Sequence, residues 1–263
     1  MRQHGHKTNN GVASTRGYLT RARRLRKSGD LEGAVTALQK ALRGADEKSL
    51  VYMELADLYR GERKFDLAIE VVREAIKLRQ GDVQAREMLL EMLLEIGRFD
   101  EAIEESKTLL KLSPKSLSAR DVLSIAYIQK DMVERALQVT NEMITLDPSS
   151  AANHFKKALL FQQKGDIGNA INEFSRVLEM EPDDEMAEGA QQAIEALDTL
   201  QIRHIVMLAV EDFIFRAKLI RDPESAAVER GFSLSYSGVN TLKQIQFDEL
   251  SDVWSEWKQR FYH

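Results

Sequence analysis

Cysteine is absent from the 263 residues, which excludes a disulfide framework, a thiolate zinc site and a cysteine nucleophile. Proline is scarce, with four residues, and so is glycine, with fourteen, too few turn-formers for a sandwich of short strands. No apolar run approaches the roughly 20 residues that span a bilayer; the longest compact one, Ile205 to Val210, is far short of it. A secretory h-region is missing from the polar first twenty residues, so the cytoplasm is the simplest address. Three catalytic patterns are also missing: a Gly-rich phosphate loop, His-Glu-x-x-His and Gly-x-Ser-x-Gly.

Acid is missing from one end. Residues 1 to 27 hold eight Lys or Arg and no Asp or Glu, whereas the rest has 29 basic against 42 acidic residues. A general nucleic-acid binder is disfavoured by that remainder, and contact with nucleic acid through the basic start is kept as an alternative. Residues 1–14 read as a basic, flexible arm, with His4 and His6 too isolated to imply a metal site. The composition that is present, 43% hydrophobic and 30% charged, is that of a helical protein with a substantial core.

One alanine recurs in the same setting at Ala34, Ala68, Ala102, Ala136 and Ala170, each step 34 residues. Turn signals precede it: Gly29-Asp30-Leu31, Lys64-Phe65-Asp66, Gly97-Arg98-Phe99-Asp100 and Gly165-Asp166-Ile167. Apolar residues fall at helical spacing on both sides of each turn, as in Tyr52, Leu55, Ala56, Tyr59 and then Ile69, Val72, Ala75, Ile76. Pro114, Pro148 and Pro182 repeat at the same interval and end one hairpin before the next. A helical pair of this size cannot cover its own apolar stripe, so the pairs must stack, giving a superhelix with a concave face.

These residues resemble the tetratricopeptide-repeat family over 15–184, in five units. The resemblance implies an all-α, right-handed solenoid of helical hairpins acting as a non-catalytic scaffold, without a cofactor or metal, for another protein or peptide. It also implies that ligands lie along the first helix of each repeat. Three zones follow: basic Arg23, Arg26 and Lys27; acidic Glu87, Glu91 and Glu95; and apolar Ile125, Ile128, Phe155 and Leu159. An apolar or amphipathic segment suits such a groove. The family members that clamp a terminal carboxylate do so with Lys and Asn; Leu19, Arg23, Met53 and Asp57 stand at the matching places, so that clamp is not reproduced. The sequence departs from the pattern at Arg120 and His154, where a large apolar residue is expected, at Leu90, a normally small site, and at Asp131, a turn glycine.

Past the repeats, the stripe Met186, Ala190, Ala193, Leu197 and Leu200 predicts a capping helix running unbroken over 185–221. Residues 222–263 read as a small helical appendix that covers its apolar second half. Asp222-Pro223 opens one helix and Gly231 stops it, Ser235 caps a second, and Asp248 opens a third. That last helix carries Leu250, Val253, Trp254, Trp257 and Phe261 on one face, and half of the chain's eighteen aromatics lie in 213–263. Trp254, Trp257 and Phe261 are a candidate second interface, through which the chain could form a homo-oligomer by docking on a neighbour.

Overall fold

A computed structural model describes residues 15–43, 48–180 and 185–250. Among the described residues all regular structure is helical, with no strand, and no helix is long and apolar enough to cross a membrane. The chain divides into two compact units, residues 1–132 and 133–263.

The first unit contains α1 (Thr15–Lys27), α2 (Leu31–Leu42), α3 (Lys48–Gly61), α4 (Phe65–Leu78), α5 (Val83–Glu95), α6 (Phe99–Leu112) and α7 (Leu117–Gln129). Each packs on the next in the chain. Between the two helices of a repeat the chain reverses through one left-handed residue, at Gly29, Arg63 and Gly97, and again at Asp131 after α7. The residue after it then donates its N–H to a carbonyl five places back, as Asp30 does to Leu25 and Lys64 to Tyr59 at 2.9 Å each. This is the Schellman closure that satisfies the orphan carbonyls of a helix end. Asp30 goes on to cap α2 by accepting the Gly33 N–H at 2.8 Å. Downstream of these turns Ala34, Ala68 and Ala102 are fully buried, which lets paired helices approach closely.

The unusual residues keep the register. Leu90 is buried in the core. Arg86 and Arg120, 34 apart, stand at one repeat position, and each turns its guanidinium back to a carbonyl six residues earlier: Arg86 to Gln80 at 2.8 Å, Arg120 to Pro114 at 2.7 Å. Their aliphatic stems fill the apolar place while their charged heads bind those carbonyls, and that of Arg86 also binds Glu105.

The second unit contains α8 (Val133–Leu146), α9 (Ala151–Lys164), α10 (Ile167–Met180), α11 (Glu185–Glu211), α12 (Phe213–Arg221), α13 (Pro223–Glu229) and α14 (Tyr236–Lys243). Phe174, Val177 and Ile171 of α10 pack between Ala158 of α9 and Ala190, Ile194 and Leu197 of α11, so α11 caps the repeat core. Ile205 and Ala209, further along α11, join Phe215, Leu219, Ala226, Ala227, Leu242 and Phe247 in a separate cluster. The appendix thus covers the apolar half of the cap helix, as its sequence requires.

The capping helix is not continuous to residue 221. It stops at Glu211, because Asp212 takes an extended conformation and accepts the N–H groups of Ile214 and Phe215 at 3.0 and 2.9 Å. A carboxylate that caps the next helix ends the previous one without glycine or proline. Those hydrogen bonds, with the one from Arg230, hold the Asp212 carboxyl below the usual range. The turn is what lets α12 fold back onto α11. Two expected caps are present: Asp222 accepts from Ser225 N at 3.1 Å and Ser235 from Gly238 N at 3.1 Å.

Candidate partner-binding surface

The first helices of the first unit, α1, α3, α5 and α7, carry the charged residues singled out by the repeat. Their side chains meet along a fixed register, in which a residue on one first helix faces the residue 31 places later on the next. Arg23 binds Glu54 and Arg26 binds Asp57, Arg60 holds Glu91 at 2.7 Å, and Glu87 accepts the Ser118 hydroxyl at 2.6 Å. Arg63 reaches Glu95 at 3.4 Å, one place further. A step of 34 less about one helical turn produces this offset, since residues three and four apart share a helix face.

The basic and acidic zones are therefore not separate. Arg23 and Arg26 face carboxylates of α3, while Glu91 faces the guanidinium of Arg60 in the same helix and Glu95 that of Arg63 in the turn that follows it. The Glu54 hydrogen bond raises the pKa of Arg23 further above its ordinary value. Lys27 is exposed at the end of α1. Sequence reasoning missed the partners Glu54, Asp57 and Arg60; the signal that reveals them is opposite charge at a spacing of 31.

Between α3 and α5 the same surface opens into a cleft of about 360 Å³, lined by Leu50, Met53 and Met88 with Glu54, Asp57 and Arg60. Leu50 is 42% exposed. These apolar residues were not among the sequence candidates; their signal is an apolar side chain on the charged face of a first helix.

The apolar candidates fall in both units. Ile125 and Ile128 are half-buried on α7. In the second unit Phe155 packs into the repeat core, its ring edge-on to Phe174 at 5.4 Å and against the backbone of Gly189, whereas Leu159 is 46% exposed. Trp254, Trp257 and Phe261 lie outside the described residues, as do His4, His6 and Pro182. His154 is buried against Glu173 at 2.7 Å; His204 is exposed with its ring edge-on to Phe232 at 5.3 Å. Among the described residues no group of three His, Asp or Glu is placed to hold a metal ion.

Two family models described as tetratricopeptide repeat match the chain, one over residues 19–83 and 53–116, the other over 123–195. The chain is a tetratricopeptide-repeat protein. Solved structures of similar fold include MamA, residues 41 to the end, from Desulfovibrio magneticus RS-1. This match has 20% identity and a TM-score of 0.58, covering 66% of this chain and 98% of that one. Another is YrrB, described as a TPR protein with an unusual peptide-binding site, at 18% identity and TM-score 0.57, covering 68% and 93% of the two chains. No curated protein matches the sequence significantly. The tetratricopeptide family supports a protein-interaction scaffold in general.

Proposed function

We propose that this tetratricopeptide-repeat protein is a non-catalytic scaffold that holds an apolar or amphipathic segment of a partner along the first helices of its repeats. The observation that carries the reading is the cleft between α3 and α5, where Leu50, Met53 and Met88 open among charged residues that already satisfy one another. Unbranched methionines adapt to varied apolar partners. Paired charges at the rim orient a ligand without demanding a particular ion. Ile125 and Ile128 of α7 extend the apolar surface within the first unit, and Leu159 offers a further accessible contact in the second. The description of YrrB by a peptide-binding site supports a peptide ligand here. Contact with nucleic acid is disfavoured, because Glu54 and Asp57 stand beside Arg23 and Arg26 and repel phosphate.

The test uses a peptide selected from a random library on the purified full chain. Each buried apolar side chain contributes about 1.5–3 kcal/mol, so Met53→Asp with Met88→Asp should weaken binding at least about tenfold by isothermal titration. Circular dichroism must show unchanged helix content. Equal affinity for the two proteins would remove the cleft from the reading.

A further inference from the structure

The outer side of α12 is apolar and open. Phe215 and Leu219 point inward to the appendix cluster, while Phe213 and Ile220 are 71% and 54% exposed, with exposed Ala217 between them. The three outward residues stand at i, i+4 and i+7, a ridge along one helix face. Two large side chains thus flank one small one.

Residues 251–263 supply a matching surface. They follow Leu250, which packs against the cluster that contains Phe215 and Leu219. Helical periodicity continues the face of Leu250 through Trp254, Trp257 and Phe261. Read in reverse, Phe261, Trp257 and Trp254 have the same spacing of four and then three as Phe213, Ala217 and Ile220. An antiparallel alignment therefore sets the bulkiest residue, Trp257, opposite the small Ala217, the large-against-small arrangement that packed helices require. Reach is not limiting. The ridge lies about one helix diameter, roughly 10–12 Å, from the inward face of α12, and thirteen residues of helix extend about 20 Å.

We propose that residues 251–263 of the same chain dock as an antiparallel helix on the Phe213, Ala217, Ile220 ridge of α12. The ridge is then a helix-binding surface whose occupant is the chain's own end. This surface is separate from the cleft between α3 and α5, and the two readings stand or fall independently.

Trp254 and Trp257 are the only tryptophans, so intrinsic fluorescence of the full chain reports on this segment alone. The emission should be blue-shifted and shielded from iodide, and unchanged on dilution while light scattering reports a monomer. Phe213→Ser with Ile220→Ser, both at exposed positions, should red-shift the emission and raise iodide quenching severalfold, with helix content retained. Ala217→Leu, which fills the place opposite Trp257, should do the same. Leu200→Ser with Met207→Ser, on the exposed face of α11, should leave the emission alone. Solvent-like emission in the wild type, or no response to the α12 variants, overturns the proposal. So does a blue shift that appears only with dimerisation, which would assign the ridge to a second copy.

Discussion

His154 of α9 and Glu173 of α10 meet in the core of the second unit, Nδ1 to Oε2 at 2.7 Å, with side chains only 4% and 8% exposed. Two repeats earlier the equivalent places hold Arg86 and Glu105, which also bind each other, so a polar pair stands twice where the repeat pattern expects an apolar contact. Removing one member of a buried pair strands the other, whereas replacing both by apolar groups is close to neutral. Glu173→Ala should therefore destabilise by about 3 kcal/mol, and His154→Leu with Glu173→Met should recover only the part due to the stranded imidazole, because Lys157 also loses its partner. Urea unfolding of the three proteins at pH 7 measures this; a double variant no better than the single one refutes it.

Acid should weaken the second unit through the same carboxylate. Burial opposes ionisation of Glu173, but hydrogen bonds from His154 and Lys157 and the charges of Lys157 and Arg176 outweigh it, holding its pKa below the ordinary value. A depressed carboxyl contributes stability above its unfolded pKa of about 4.3 and loses it as pH falls through the folded value. Between neutral pH and pH about 3, wild type should lose more stability than Glu173→Gln. Parallel pH profiles would show that the shift has no energetic weight.

The ladder of charges on the first helices should set register more than stability. Arg60 and Glu91 are 38% and 63% exposed at the side chain, so solvent screens their attraction. A double-mutant cycle with Arg60→Ala and Glu91→Ala is expected to give a coupling below about 1 kcal/mol. A coupling several times larger would make the ladder a principal source of stability.

Arg63 adopts φ of 57°, where the equivalent Gly29 and Gly97 have 80° and 72°. A side chain there carries a steric cost that glycine avoids, and its 3.4 Å contact with Glu95 is largely exposed. Arg63→Gly should stabilise by about 0.5–1 kcal/mol. Thermal unfolding checks the sign, and a lower melting temperature contradicts it.

Asp198 of α11 accepts the backbone N–H of Ser235 at 2.9 Å and also its hydroxyl, and a Cβ on Gly238 would overlap its carboxylate. Asp198→Ala should cost about 1.5–3 kcal/mol for the charged hydrogen bonds. Gly238→Ala should act in the same direction by displacing the carboxylate. Hydrogen exchange should rise across 226–247 in both variants while α1 to α6 stay unchanged. Undisturbed exchange in the appendix would leave Asp198 without an anchoring role.

The repeat was legible because each hairpin needs a small residue at its closest approach and a left-handed residue at its turn, and both recur every 34 residues. Gly29, Gly97 and Gly165 announced those turns, whereas Arg63 takes the same backbone shape without being a glycine, held by the hairpin around it. The break at Asp212 was hidden for a similar reason. An apolar run without glycine or proline reads as one helix, and the Asp212 cap ends it where α12 can fold back to cover Ile205 and Ala209. The candidate surface was read as three zones because charges were compared along each helix and not across neighbouring ones.

Amino-acid order alone determined the helical class, the unit length and the stacking of hairpins, because periodic burial and turn chemistry are local in the chain. Tertiary structure decided which charges neutralise each other, which apolar residues stay open in the cleft beside α3, and where α11 ends. Those outcomes depend on side chains brought together from distant positions, and pairing across 31 residues exists only once one helix lies beside the next.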